Sequence, residues 1–231
     1  GFRSIVNQIA TEARWRKQSM LFSATLEGPG IAQFSKDILV NPESLTVDPS
    51  RKEKAKIHQW YHLADDVQHK YQILKHILTE QAESAIVFVK TRERLQQLKD
   101  RLAADQINVV WLQGEMPQDK RNEAMSRFKS GEIKILLATD VAARGIDVED
   151  ISHVINFDMP RTSDVYLHRI GRTGRAGAKG TAISIVEAHD FAMLSRIARY
   201  IKEVIKPRVI EELRPKHKAP SIKKPKKSRL A

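Results

Sequence analysis

The sequence predicts an α/β domain whose mostly parallel sheet is covered by helices on both faces. Three observations carry this expectation. At 231 residues with 41% hydrophobic content, the chain can bury a substantial core. Compact runs of β-branched and other apolar residues recur at 85–89, 133–138, 154–157 and 181–186. Amphipathic stretches of helical period lie between them, and continuous apolar strands interleaved with helices favour parallel pairing through right-handed crossovers.

From the amino end, residues 5–15 read as an amphipathic helix and 18–24 (QSMLFSA) as an apolar strand, ended by the Gly28-Pro29-Gly30 turn. A helix over 31–39 stops before Asn41-Pro42, because a residue preceding proline avoids the α region. Strands at 45–47 and 57–63 flank a charged linker, 50–56, which places a domain boundary near residue 50. The stretch 68–80 carries Ile73, Leu74, Ile77 and Leu78 on one helical face, ahead of the strand at 85–89. Thr91 suits the cap of the next helix, striped by Leu95, Leu98 and Leu102. A strand at 107–112 leads to a helix opened near Pro117 and closed by Gly131. Strands at 133–138, 154–157 and 181–186 complete the alternation. On such sheets, ligands bind where strands run out into loops at their carboxyl ends.

A formal net charge of +12 and a pI near 9.9 favour a polyanionic partner, nucleic acid foremost. The chain has no cysteine, which excludes disulfides and thiolate metal sites. His58 and His62 fall on a strand, and no other histidine spacing suggests a metal. No apolar run approaches the roughly 20 residues that span a bilayer, and no secretory leader opens the chain, so a soluble cytoplasmic protein is expected. From Pro207 onward, nine Lys/Arg stand against two Glu among four prolines, which predicts a basic disordered tail.

The residues with chemistry cluster in loops. Segment 139–147 (TDVAARGID) puts a hydroxyl, two carboxylates, an arginine and a glycine within nine positions. Thr139 and free backbone amides suit a phosphate oxygen and Asp147 a ribose hydroxyl; the plainer reading is that Asp140 and Asp147 cap or turn the chain. In 168–177 (HRIGRTGRAG), three arginines and three glycines occupy ten positions without an acid. Arg172 and Arg175 lie three apart, so one further helical turn would put them on the same side, and guanidinium forks suit phosphoryl groups and RNA backbones. A solvated basic loop is the competing reading. Val89-Lys90-Thr91 and the stretch 113–121 are strand-to-helix turns whose amides attract anions, with Arg121 in the first turn of its helix.

Together SAT (23–25), IVFVKT (86–91), LQGEMPQDKR (112–121), ATDVAARGID (138–147) and HRIGRTGR (168–175) resemble, in order and spacing, the motifs of the DEAD-box RNA helicases. The resemblance covers about residues 1–205. It implies two RecA-like α/β/α domains that close on ATP and single-stranded RNA. Residues 1–48 are then the end of the first such domain, 49–56 a linker, 57–205 the second domain and 206–231 the basic tail. The family's phosphate loop, adenine-reading glutamine motif and Asp-Glu-Ala-Asp box do not occur in the chain, so alone it is expected not to hydrolyse ATP.

By motif position, the resemblance implies Arg172 and Arg175 as arginine fingers on the γ-phosphate and Asp147 as a ribose-side contact. Thr91, Gly114, Arg121 and Thr139 are implied to grip the RNA backbone, with Arg144 linking the RNA and nucleotide sites. Ser23, Thr25 and His168 are implied to couple hydrolysis to strand separation. Gln113 departs from a frequent family histidine. The implied cofactor is ATP with Mg2+, held mostly by the first domain. The implied partners are that domain and single-stranded or structured RNA, ribosomal RNA among it; an acidic protein is the alternative partner of the tail. The competing functions are a DNA helicase of the same superfamily and a non-catalytic RNA-binding or protein-docking module using the tail.

Overall fold

A computed structural model describes residues 3–22, 29–45, 57–143, 151–174 and 179–217, with only the backbone at 29–31. The chain divides into two compact units, Gly1–Pro49 and Ser50–Ala231. In the first, helices α1 (Arg3–Glu12) and α2 (Pro29–Ile38) are joined by an ion pair from Arg3 to Asp37. The strand expected at 18–24 is not formed over 18–22, the described part of it, and Trp15 and Phe22 are 94% and 86% exposed. A strand needs a neighbour for its backbone N–H and C=O groups, and the described residues of this unit supply none. Leu45 is likewise not in a strand, and 46–47 lie outside the described residues.

The second unit is built on β1 (Ile57–Leu63), β2 (Ala85–Val89), β3 (Val110–Leu112), β4 (Ile135–Thr139), β5 (His153–Asn156), β6 (Gly180–Val186) and β7 (Lys206–Pro207). They pair in the order β3-β4-β2-β5-β6-β1-β7, and every pairing is parallel. Helices α3 (Val67–Glu80), α4 (Arg92–Ala104), α5 (Gln118–Lys129), α6 (Ser163–Ile170) and α7 (Phe191–Ile201) cover it. The period of two decides which core each strand residue joins. Ala85, Val87 and Val89 of β2 pack with Leu74, Ile77 and Leu98 of α3 and α4, while Ile86 and Phe88 pack with Phe128 of α5. On β6, Ile183 and Ile185 join the first core, while Ala182 and Val186 meet Tyr166 of α6 and Leu194 of α7. The result is a three-layer α/β/α sandwich, as the sequence predicts.

Asp66, Thr91 and Thr162 cap α3, α4 and α6 by accepting the amides of His69, Arg94 and Val165 at 2.8, 3.1 and 3.3 Å. Strand β3 is shorter than the predicted 107–112, because its pairing with β4 begins only at Val110 opposite Leu136.

The expected disorder past residue 205 does not hold for 206–217. There β7 pairs with β1, the Arg208 amide donates to Tyr61 O at 2.8 Å, and its guanidinium stacks 3.8 Å from the Trp60 ring centroid. Ile210 is buried and Leu213 packs against the same core. These two apolar residues, with the strand pairing and the Arg208 stack, dock the segment, although its charged composition argues otherwise. Residues 218–231 lie outside the described residues.

Beneath this segment, buried His62 accepts a hydrogen bond from Trp60 Nε1 to its Nε2 at 3.1 Å. Burial pushes its pKa down to about 4, and a backbone bond with Arg208 works weakly the other way. Above about pH 6.5 the ring is neutral folded and unfolded, so stability is insensitive to it. As pH falls from 6.5 to 4, the unfolded chain takes up a proton that the fold refuses, and stability drops by on the order of 3 kcal/mol. Denaturant titrations from pH 7 to 4 should show this slope and a shallower one in His62→Gln. His153, shifted in the same direction by burial, supplies part of what remains.

Candidate nucleic-acid and nucleotide interface

Parallel pairing gathers every strand's carboxyl end at one edge. Thr91 lies two residues beyond β2, Gly114 two beyond β3, Thr139 closes β4, and Arg121 sits in the first turn of α5, which is entered from β3. Val89 is in register with Thr139 and Leu112 with Ala138, so the structure brings these four residues to one edge. Thr91 Oγ1 is engaged as a helix cap, and Thr139 is only 8% exposed. Backbone and neighbouring groups are therefore the more accessible donors at this edge. One neighbour, Arg92, escapes sequence reasoning: a Cβ on Gly114 would lie 3.1 Å from Arg92 Nη2, so the missing side chain makes room for the guanidinium. Arg92 Nη1 donates to Glu115 Oε2 at 2.9 Å, an exposed pair of small net worth. The signal that could have found it is its place directly after the capping Thr91, at the first helical position.

Behind this edge lie two buried cations that the sequence reading also missed. Arg169, 2% exposed, donates Nε and Nη2 to the two oxygens of Asp140 at 2.6 and 3.0 Å. Its Nη1 donates to Asn156 Oδ1 at 3.0 Å and Asp158 O at 2.7 Å, and the group lies 4.9 Å from the Phe88 ring centroid. One guanidinium thus fastens α6 to the ends of β4 and β5. Lys70 Nζ sits 3.6 Å from Asp158 Oδ1 and 3.5 Å from Glu187 Oε1, tying α3 to the ends of β5 and β6. Asp158 Oδ2 in turn accepts the Lys90 amide at 2.9 Å.

Arg172 lies at the opposite edge. Strand β5 ends at the carboxyl edge and β6 starts at the amino edge, so α6 must carry the chain back between them. Thr173 marks its arrival: it bridges in parallel to Ile151, two residues before β5, and its hydroxyl donates to Ile151 O. The further helical turn that would align Arg172 with Arg175 is not formed over 171–174, and Arg175 lies outside the described residues. The helix ends at Ile170, and Gly174 adopts φ +69°, a left-handed conformation that breaks the turn. A Cβ on Gly180 would lie 2.5 Å from Gly174 N, so glycine there lets the turn seat on the start of β6. Arg172 is half-buried, with Nε donating to His168 O at 3.3 Å, and His168 is exposed. The carboxyl-edge rule therefore places Thr91, Gly114, Arg121 and Thr139 but not Arg172.

Ser23, Thr25, Arg144, Asp147 and Arg175 lie outside the described residues. The chain enters 144–150 from Ala143, just past the carboxyl end of β4, and re-emerges at Ile151, bridged to Thr173.

A parallel α/β/α layer with anion-suited turns at one edge and an arginine turn at the other defines a RecA-like helicase carboxyl-terminal domain. Residues 69–177 match the family described as "Helicase conserved C-terminal domain". The chain belongs to the DEAD-box family. It is 56% identical over 224 residues to the ATP-dependent RNA helicase SrmB of Escherichia coli, covering 96% of this chain and 50% of that protein. The Haemophilus influenzae SrmB is 48% identical, with 100% and 54% covered. The chain thus spans about half the length of these relatives. Among solved structures, E. coli SrmB bound to regulator of ribonuclease activity A is 60% identical with a TM-score of 0.70, covering 72% of this chain and 99% of that one. S. cerevisiae Dbp5 bound to RNA and ADP BeF3 is 32% identical with a TM-score of 0.75, covering 88% and 55%. Among the described residues, no helix is long and apolar enough to cross a membrane.

Proposed function

We propose that this chain is the carboxyl-terminal half of a cytoplasmic ATP-dependent RNA helicase that locally unwinds structured RNA, ribosomal RNA foremost. The observation that carries the reading is the placement of the candidate residues on two sheet edges: Thr91, Gly114, Arg121 and Thr139 on one, Arg172 beside Thr173 and Ile151 on the other. Helix α6 runs from the carboxyl edge to the turn where Thr173 bridges Ile151, and so ties the two edges together. The Dbp5 structure bound to RNA and ADP BeF3 supports both ligands for this fold.

The donors present fit a nucleotide triphosphate: a half-buried guanidinium held at a glycine-bounded turn matches a phosphate oxygen in charge and geometry. ATP with Mg2+, held mainly by a first RecA-like domain, supplies the phosphoryl group to be transferred. This chain's Arg172, with Arg175, neutralises charge that develops on that group, and Asp147 orients the ribose. Thr91, Gly114, Arg121 and Thr139 hold successive phosphates, Arg144 links the two sites, and Ser23, Thr25 and His168 transmit closure. Backbone contacts read no sequence, so preference for RNA rests on the 2′-hydroxyl and strand shape. Without the first domain the chain turns over no ATP.

The test is ATP turnover by the intact protein with single-stranded RNA or DNA of the same sequence. Stimulation by RNA well above that by DNA is expected, and equal stimulation would favour a DNA helicase. A docking role is a second reading, favoured by the E. coli SrmB structure with regulator of ribonuclease activity A. As a non-catalytic module it predicts no ATP turnover, with or without nucleic acid.

A further inference from the structure

We propose that Asp158 is a positioning residue for RNA binding: its carboxylate, set in place by buried Lys70, holds the turn that presents Thr91 in the geometry that grips a phosphate. The proposal rests on the RNA reading above and deepens it. A carboxylate repels phosphate, so Asp158 acts through the Lys90 amide and not by contact with RNA.

The pairing of β2 with β5 ends in a side chain. Phe88 lies opposite Asn156, and the ladder runs one bond further, with the Asp158 amide donating to Phe88 O at 3.2 Å. Evenly spaced parallel bonds would next carry the Lys90 amide to the Asp158 carbonyl. That carbonyl instead accepts Arg169 Nη1 at 2.7 Å, and the Lys90 amide donates to Asp158 Oδ2 at 2.9 Å. The carboxylate thus supplies the last rung of the ladder, at the residue directly before Thr91. The same residue's carbonyl is fastened to α6, so Asp158 joins the Thr91 turn to the helix that precedes Arg172.

The carboxylate is itself held. Its Oδ1 lies 3.6 Å from Lys70 Nζ, whose side chain is 3% exposed and also meets Glu187 Oε1 at 3.5 Å. The Lys70 ammonium sits 5.1 Å from the Phe157 ring centroid, and Arg94 Nε, in the first turn of α4, lies 4.0 Å from Asp158 Oδ2. These two cations offset a negative charge that would otherwise weaken an RNA-facing edge, so the carboxylate keeps its geometric role without repelling the ligand. Lys90 and Thr91 are exposed, and without the rung the Lys90 amide is left to water. A hydrogen bond to a charged acceptor is the stronger kind. Releasing it lets the turn leave the competent conformation, and RNA affinity falls with the fraction of molecules that keep it. At saturating RNA the turn is ordered by the ligand, so turnover there is unaffected.

Two double variants of the intact helicase isolate this rung. Lys70→Met with Asp158→Asn removes both charges and keeps a side-chain oxygen for the Lys90 amide. Lys70→Met with Asp158→Ala removes the charges and the acceptor together. Neither leaves a buried ammonium unpaired, and partly exposed Glu187 loses Lys70 in both alike. With ATP turnover followed against oligouridine concentration, the alanine variant should need up to about tenfold more oligouridine for half-maximal turnover than the asparagine variant, the scale of one hydrogen bond. Turnover at saturating oligouridine and KM for ATP should be the same in the two. Asp158→Glu, which keeps a charge beside Lys70 but displaces the oxygens by one methylene, should also need more oligouridine than the parent, and it decides the matter where the alanine variant does not fold. Equal half-saturation in the two double variants overturns the proposal, even if their melting curves differ, because a purely structural role predicts that result. Parent-like half-saturation in Asp158→Glu, or a loss that falls on turnover at saturating oligouridine, overturns it too. Turnover of the unaltered protein that ignores oligouridine would overturn the RNA reading, and this proposal with it.

Discussion

Arg172→Ala in the intact protein is expected to slow RNA-stimulated ATP turnover about 10³-fold or more, the scale at which an arginine stabilises a transferred phosphoryl group. The effect should fall on kcat, with ATP binding largely retained, because the group acts on charge that appears in the transition state. Arg172→Lys should recover little, since an ammonium is a point charge without the planar fork. The fold should survive: the side chain is half-buried at a surface turn, and its Nε bond to His168 O lies within that turn. Single-turnover hydrolysis and a melting curve on the same variant separate the two effects. Turnover near that of the parent would remove Arg172 from the chemistry, and the same expectation applies to Arg175.

Arg169→Met should do the reverse, unfolding the domain more readily before any question of catalysis arises. It removes four hydrogen bonds from a guanidinium 2% exposed, leaving Asp140 and Asn156 short of donors. Asp140 is partly exposed and recovers some hydration, and Asn156 keeps its bond to Ser184 Oγ at 3.2 Å. A loss of about 3 kcal/mol is expected, towards the lower end for one half of a buried ion pair. In a domain of this size, that lowers Tm by roughly 6–12 °C. Urea unfolding of the chain measures it directly, and a midpoint unchanged from the parent would contradict the structural role. Arg169 and Arg172 of HRIGRTGR are therefore expected to do different work, although they read alike.

That contrast shows what the sequence discloses and what it withholds. The layered fold is legible because β-branched runs and leucine stripes signal burial on both faces of a sheet, and the cap at Thr91 follows from local chemistry. The carboxyl-edge residues are legible because parallel strands place their ends together. Arg169 is not, since a charged residue suggests solvent. Only its spacing from Tyr166 and Ile170, three before and one after on the inward face of α6, betrays it. Lys70 hides in the same way, its partners Asp158 and Glu187 being set by topology and distant in sequence. The strap at 206–217 is masked by its composition, because two apolar anchors among eight charged or proline positions carry little compositional weight. The strand expected at 18–24 fails for the opposite reason: its apolar pattern is sound, but a strand is a relation between two segments.

The central claim is that RNA lies along the carboxyl edge while the arginine turn faces nucleotide at the other. Hydrogen exchange of the intact protein tests it most directly, with RNA alone and then with RNA and a non-hydrolysable ATP analogue. RNA alone should protect amides around Thr91, Gly114, Arg121 and Thr139, and the analogue should add protection at Arg172 and Thr173. Protection by RNA at the amino-edge residues Ser84, Ser152 and Gly180, with the carboxyl edge unchanged, would contradict it.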